Sequence, residues 1–289
     1  MSASPRLSVV IPVHDNAATL DAQLAAVAAG AATVPDVEIV VVDNRSSDAS
    51  AAIARTFASR VPSLRVVEAV DEASEGHARN VGVAAARADA VAFCDGDDVV
   101  APTWVAAMAT ALREHDFVTG PVELDLLNPS WLAGVRGRRL FDTMPMLFDH
   151  VPFAHGCNFG VTRDAIDRVG PFRPDLPAGM DIEFSVRCWQ HDIALAWVPN
   201  ACVHYRHRLD RAARWRQARS YGRAQPALRA LVPMFAEPRA QVEQSARRAG
   251  WLAKESVHLG DRARRAHWEF TLSMLLGDVS ATVAEKLHR

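Results

Sequence analysis

Cysteine is scarce. Cys94, Cys157, Cys188 and Cys202 are the only four, and none stands at the short spacing that paired metal ligands or a compact disulfide framework require. This argues against zinc sites and a disulfide framework, and the thiols are expected to be reduced and mostly buried. No apolar run reaches the length a bilayer span needs. The polar opening from Ser2 to Arg6 passes at once into an apolar strand, so no signal peptide is expected either, and the expected location is the cytoplasm. Low-complexity tracts and internal repeats are missing as well, which argues against disorder. No G-x-G-x-x-G follows the first apolar run and no G-x-x-x-x-G-K-S/T occurs anywhere. Neither a dinucleotide fingerprint nor a phosphate loop is available, so any phosphate charge must be met in another way.

What is present is a chain of 289 residues, 49% hydrophobic, able to bury a large core in one large or two modest domains. Leu7 to Val13, Val37 to Val42 and Leu64 to Glu68 are β-rich apolar runs, each closed by a polar loop. Such runs suit strands buried on both faces. Between them lie Ala-rich stretches with helix-starting residues: Asn16 or Thr19 to about Ala29 with Gly30 as the stop, Ser47 or Asp48 to about Arg60, and about His77 to Arg87. The β, α, β, α order with short connections predicts an α/β fold with a mostly parallel central sheet flanked by helices.

A fourth apolar run, Val91-Ala92-Phe93-Cys94, stops at Asp95-Gly96-Asp97-Asp98. In an open parallel sheet the carboxyl ends of the strands face a cleft, so this strand delivers charge to a ligand-facing edge. Three carboxylates so close repel one another and raise each other's pKa values unless a cation joins them. A hard divalent ion, Mg²⁺ or Mn²⁺, fits, because it takes oxygen ligands and shares its shell with substrate phosphates. The string alone also reads as a polar loop capping the helix that opens near Pro102.

Charge is balanced overall but not in its distribution. From Arg206 onward there are 17 Lys and Arg against 8 Asp and Glu, leaving 15 against 26 in the preceding residues. Arg208, Arg211, Arg214, Arg219 and Arg223 recur at helical spacing with Trp215 and Tyr221 interleaved. Pro226, Pro233 and Pro238 are expected to interrupt that helix, with further helices from about Arg239 to His258 and from Arg262 to Leu276. A basic surface of this kind suits an anionic partner, or is simply a solvated helical face.

Four motifs in order carry a family resemblance. Val9-Val10-Ile11-Pro12-Val13-His14-Asp15-Asn16, Ile39-Val40-Val41-Val42-Asp43-Asn44 with Ser46-Ser47-Asp48, Gly76-His77-Ala78-Arg79-Asn80-Val81-Gly82, and Phe93-Cys94-Asp95-Gly96-Asp97-Asp98 resemble the signatures of family 2 glycosyltransferases, which have the GT-A (Rossmann-like) fold. The resemblance runs from Leu7 to Arg208. It implies a GT-A nucleotide-sugar-binding and catalytic domain over residues 1–208, with 209–289 a basic helical C-terminal extension. It further implies that the Pro12, Val13, His14, Asp15 loop lines the nucleotide pocket, that Asp43 accepts a hydrogen bond from the base, that Asp95 contacts ribose or metal with Gly96 beside it in the donor site, and that Asp97 ligates the metal with Arg79 as a nearby cation. Asn158 lies in a stretch similar to the acceptor-side strand. Gly179-Met180-Asp181-Ile182-Glu183 resembles the Glu-Asp motif that holds the catalytic base; Asp181 keeps the base position, while Met180 stands where the Glu usually is. Met180, Asn158 and Glu183 are the acceptor-side candidates. By the same resemblance His204 is the histidine that reaches the metal or the diphosphate, with His207 the alternative.

Two points about this segment come from the residues themselves. Asp181 near a helix N-terminus gains from the macrodipole and is expected to stay ionised, and Glu183 with Arg187 forms an i,i+4 pair. The expected activity is inverting transfer of a sugar from a nucleotide-diphosphate sugar to an acceptor hydroxyl, metal-assisted by Mn²⁺ or Mg²⁺ and without a covalent intermediate. The acceptor would be a sugar, a small molecule or a lipid-linked molecule; in the last case the basic tail would meet the anionic inner face of the membrane peripherally. The rivals are a sugar nucleotidyltransferase, which would normally carry a Gly-rich basic loop where Pro12-Val13-His14-Asp15 stands, and a catalytically impaired nucleotide-sugar-binding protein of the same fold. Nucleic-acid binding is not expected, since the body is acidic and no recognition motif occurs. No oligomeric state follows from the sequence.

Overall fold

A computed structural model describes residues 6–136, 142–147, 149–232 and 238–287. Along the chain the elements are β1 (Leu7–Val13), α1 (Leu20–Ala31), β2 (Val37–Asp43), α2 (Ser50–Ala58), β3 (Leu64–Glu68), α3 (Glu75–Ala85), β4 (Ala90–Phe93), β5 (Val99–Val100), α4 (Trp104–Ala111), β6 (Phe117–Thr119) and β7 (Val122–Glu123). There follow α5 (Ser130–Ala133), β8 (Met146–Leu147), β9 (Val151–Pro152), β10 (Phe159–Thr162), α6 (Arg163–Val169), α7 (Met180–Gln190), β11 (Leu195–Trp197), β12 (Val203–His204), α8 (Arg211–Ala230), α9 (Pro238–Glu255) and α10 (Arg262–Leu287). They fall into two compact units. The first is Met1–Glu123, Phe141–Asp175 and Met180–Tyr205, and the second is Leu124–Leu140, Leu176–Gly179 and Arg206–Arg289.

The first unit is built on a seven-stranded sheet in the order β11-β6-β10-β4-β1-β2-β3. The β4-β1-β2-β3 half is parallel throughout. Its central strands are apolar at nearly every position because helices cover both faces. On one face Leu20, Leu24 and Val27 of α1 pack with Trp104, Val105 and Met108 of α4 over Val9, Ile11, Ile39 and Val41. Across the sheet Phe93 stacks on Phe159 at 4.6 Å, and Phe172 stacks on Phe184 at 4.5 Å. The sheet is mostly parallel, as its β, α, β, α opening implies, but β10 runs antiparallel to both β4 and β6. A long connection separates β10 from β6, the preceding strand of this sheet, so chain order does not constrain its direction. A three-stranded sheet, β5-β12-β7, and the β8-β9 pair complete this unit.

The second unit is helical. Asp210 caps α8 by accepting from the Ala213 N–H at 2.6 Å. Within it, Arg229 of α8 and Asp278 of α10 are buried together, with a second contact from Arg248 of α9 at 3.3 Å. Pro226 does not interrupt the basic helix as expected; it lies inside α8, which runs on to Ala230. Burial along this helix outweighs the hydrogen bond that the ring removes. The last helix continues to Leu287, well beyond the expected end at Leu276, and Pro233 is outside the described residues. The cysteines are free thiols, three of them buried. No helix among the described residues is long and apolar enough to cross a membrane.

Candidate active site

Because β1, β2 and β4 are parallel neighbours, their carboxyl ends deliver three polar loops to one edge. The first two are stitched together. His14 donates from Nδ1 to the Asn44 carbonyl at 2.8 Å, and the Asp48 carboxylate accepts from the Ala17 N–H at 2.9 Å. Asp15, in a left-handed conformation with φ of 53°, accepts from the Ser47 N–H at 2.7 Å and the Asp48 N–H at 3.3 Å. The Ser47 N–H holds its carboxyl below the usual carboxylate range. Asp15 is therefore committed to shaping the loop. Asp43, paired in register with Val13, is 8% exposed, and its Oδ1 is buried with no hydrogen-bond partner among the described residues. An acceptor left unmatched in this way costs stability unless a ligand N–H reaches it.

The acidic corner is the third loop. Gln23, wholly buried on α1, clamps its two sides, donating to the Asp95 carbonyl at 2.8 Å and accepting from the Val100 N–H at 3.0 Å. Gly96 lies against the first loop: a Cβ there would stand 3.1 Å from Asn16 Oδ1, 3.2 Å from Val13 and 3.4 Å from the Pro12 carbonyl. Asp98 is buried and Asp97 half-buried. Burial, then Glu75, push the Asp95 carboxyl up to about 8; Arg79 opposes them, and Asp97 and Asp181 add to the rise. Mutual repulsion within the corner is thus present, as expected, but it ranks below burial. Among the described residues, donor atoms of Asp95, Asp98 and Cys157 lie within 4.8 Å of one another.

His204 and Asp97 fall outside that trio. β12 pairs with β5 so that His204 faces Val99, just past the acidic corner, and with β7 so that it faces Glu123. The His204 Nδ1 meets the Glu123 carboxylate at 2.8 Å. Carboxylates are ligands that Mn²⁺ and Mg²⁺ accept, the remaining positions suiting water and phosphate oxygens, and an imidazole nitrogen suits Mn²⁺ better than the harder Mg²⁺. His207 is buried in the second unit, where its N–H donates to Asn128 and burial, with Arg136 nearby, pushes its imidazole down to about 4.

Arg79 is the hub between the acidic corner and the expected base. Ser74 caps α3 by accepting from the His77 N–H, and one turn on, Arg79 is 0% exposed. Its Nη2 reaches Glu75 at 2.5 Å, Asp95 at 3.3 Å and the Gly156 carbonyl at 2.8 Å, and its Nη1 touches the Met180 sulfur at 3.0 Å. The N–H of Gly156 in turn donates to Asp181 Oδ2 at 2.8 Å. Asp95 and Asp181 are therefore joined through one arginine and one glycine. Burial raises the Asp181 pKa and Arg79 opposes the rise. Burial thus works against the ionised form that the helix terminus favours. With Met180 in place of a carboxylate, Glu75 supplies the counter-charge Arg79 needs.

Two acceptor-side expectations are engaged elsewhere. The Asn158 amide accepts from Trp104 Nε1 at 2.7 Å and donates to the Pro121 and Ala201 carbonyls at 2.9 and 2.8 Å. Glu183 is held by Arg187 through two bonds of 2.8 and 2.9 Å, the anticipated i,i+4 pair, and Arg187 also binds the Val169, Gly170 and Pro171 carbonyls. Gln23, Glu75 and Glu123 were not singled out by sequence. Only for Glu75 was there a signal, its position four before Arg79.

Comparison with known proteins fits this geometry. The profile of glycosyl transferase family 2 matches residues 8–170, and that of glycosyl transferase family group 2 matches residues 90–259. The chain belongs to glycosyl transferase family 2, and it is a glycosyltransferase. Its fold is GT-A. Similar solved structures include the mannosyltransferase PcManGT from Pyrobaculum calidifontis in complex with GDP-Man and Mn²⁺, at 19% identity, TM-score 0.65, covering 97% of this chain and 88% of that one. S. aureus TarS 1-349 in complex with UDP-GlcNAc is 14% identical, TM-score 0.55, covering 96% and 92%. Glucosyl-3-phosphoglycerate synthase from Mycobacterium tuberculosis, in complex with Mn²⁺, UDP and glucosyl-3-phosphoglycerate, is 21% identical, TM-score 0.51, covering 71% and 73%. Identities this low carry the fold and no more. No curated protein matches the sequence.

Proposed function

We propose that the protein transfers a sugar from a nucleotide-diphosphate sugar to an acceptor hydroxyl by direct, inverting displacement, with Asp181 as base. The observation that carries this reading is the Asp95–Arg79–Gly156–Asp181 chain of contacts, which joins the two carboxylates through one arginine and one glycine. Asp43 Oδ1 accepts a hydrogen bond from the donor's base. Asp97 and His204 would hold Mn²⁺ or Mg²⁺; Mn²⁺ accompanies the donor or its nucleotide in two of the similar structures. When bound, the ion offsets the negative charge that builds on the departing diphosphate. Asp181 takes the proton of the acceptor hydroxyl as its oxygen bonds to the anomeric carbon, while the carbon–oxygen bond to the diphosphate breaks with its electron pair. The raised pKa helps, since a base closer to the working pH is more effective. Arg79, buried and shared among carboxylates, fixes Asp95 and Asp181 in place.

The acceptor is lipid-linked in this reading, and the second unit meets an anionic membrane surface. Support comes from the turn between α9 and α10, where Val257 is 79% exposed among the exposed Lys254, Arg262, Arg264 and Arg265.

Nucleoside diphosphate release from GDP- and UDP-sugars with Mn²⁺ tests the transfer. Asp181→Asn is expected to lower turnover by about a thousandfold, within the range for loss of a general base, while donor binding persists. Turnover retained in this variant rules out the base role. Donor binding without turnover in the wild type favours the impaired, binding-only alternative, to which Met180 lends weight.

A further inference from the structure

We propose that Glu123 is a positioning residue for the metal site: it fixes the tautomer and orientation of His204 so that Nε2 is presented to the ion. The inference rests on the reading above that His204 is a ligand. It comes from a feature of the fold that the sequence motifs do not contain, the three-stranded β5-β12-β7 sheet.

In that sheet β12 lies between the strand that continues the acidic corner and the strand that carries Glu123. His204 is opposite Val99 on one side and opposite Glu123 on the other, so its place beside both is set by backbone register and not by a flexible loop. The Tyr205 N–H donates to the Glu123 carbonyl at 2.9 Å and keeps that register past the end of the strand. The side chains then meet at 2.8 Å between Nδ1 and Oε2, His204 being 20% and Glu123 31% exposed.

A carboxylate can only accept, so Nδ1 must carry the proton and Nε2 keeps its lone pair when the ring is neutral. This is the arrangement a metal-bound histidine needs. Partners of this kind orient the ring and raise its basicity, and their loss typically costs ten- to a hundredfold in metal affinity. A pair that served only to hold β7 against β12 would affect stability and leave metal affinity unchanged.

The test is Mn²⁺ binding to the full chain, followed by loss of the free-ion EPR signal with UDP and, separately, with GDP. Glu123→Ala is expected to weaken Mn²⁺ binding by about ten- to a hundredfold. Glu123→Gln, which keeps an acceptor oxygen, is expected to lose less. In a His204→Ala background Glu123→Ala is expected to add no further loss. In the metal-free protein, ¹⁵N NMR of the His204 ring is expected to report the Nδ1–H tautomer, shifting toward a mixture in Glu123→Ala, with thermal midpoints showing that each variant is folded. Wild-type Mn²⁺ affinity in Glu123→Ala, with affinity lost in His204→Ala, overturns the proposal and leaves the metal reading standing. Should His204→Ala bind Mn²⁺ normally while Asp97→Asn does not, the ligand role of His204 fails and the role of Glu123 fails with it. Normal binding in Asp97→Asn and His204→Ala alike overturns the metal assignment itself.

Discussion

Gly156 shows how little room the site leaves. Its N–H holds Asp181 and its carbonyl holds Arg79, and a Cβ built on it would lie 2.9 Å from Asp181 Oδ2 and 3.2 Å from Arg79 Nη2. Both atoms are ends of side chains and can move aside, so Gly156→Ala is expected to fold with a stability loss of about 1 kcal/mol, the low end of the overpacking range. Moving them is what matters for activity. A displacement on the order of 1 Å can cost a hundredfold in rate, and kcat/KM is expected to fall by about that much. Activity within twofold of wild type, with the variant folded, would mean that Asp181 need not be held where it is. At this scale the sequence displayed the residues that motifs carry: Asp43, Asp95, Asp97, Arg79 and Asp181. It was silent on Gln23 and Glu123, because a clamp between α1 and the acidic corner, or a carboxylate opposite a histidine, exists only once strands are paired. Asn158 and Glu183 lie within or beside legible motifs, yet their polar atoms are taken up in holding Trp104 and Arg187.

Elements were more legible in the first unit than in the second. Strands β1, β2 and β3 announce themselves as continuous apolar runs because parallel strands are covered on both faces, and the expected limits agree with the structure to within a residue. The helical unit lacks so plain a code. Its α8 and α10 approach through glycines: a Cβ at Gly222 would lie 2.0 Å from the Met274 carbonyl oxygen, and one at Gly277 would lie 2.4 Å from that of Arg219. Backbone cannot step aside as a side chain can. Gly222→Ala and Gly277→Ala are each expected to destabilise this unit by about 1–3 kcal/mol, the overpacking range. A Cβ on Gly250 of α9 would meet nothing within 4 Å among the described residues, so Gly250→Ala should instead stabilise by about 0.8–1.0 kcal/mol through helix propensity alone. Chemical denaturation of the three variants separates the two cases by sign; wild-type stability in Gly222→Ala and Gly277→Ala would leave the close α8–α10 approach without support, and destabilisation by Gly250→Ala would overturn the propensity argument. The same burial explains why Pro226, read from sequence as a breaker, is tolerated within α8.

For the whole molecule the deciding quantity is where charge sits, not how much there is. A net charge of −2 gives no attraction to an anionic membrane, whereas residues from Arg206 on carry 17 basic side chains against 8 acidic ones. At physiological ionic strength charges beyond about 8 Å are largely screened, so a surface responds to the local patch and not to the sum. The turn joining α9 to α10 is such a patch, with Lys254, Arg262, Arg264 and Arg265 exposed around Val257 and outnumbering Asp261 and Glu255, the latter 3.7 Å from Arg264. Each basic residue near an anionic bilayer contributes about 1 kcal/mol. Co-sedimentation with vesicles rich in anionic phospholipid is therefore expected, weakening with added salt and absent with zwitterionic vesicles. Lys254→Glu combined with Arg265→Glu removes two attractive charges and adds two repulsive ones, and is expected to weaken vesicle binding by at least about thirtyfold, from about 2 kcal/mol of lost attraction. Donor turnover on a water-soluble acceptor should be unchanged, since neither residue belongs to the catalytic cluster. Equal sedimentation with neutral and anionic vesicles, or binding untouched by the double reversal, would assign this basic turn to ordinary solvation and leave the acceptor to be sought among soluble molecules.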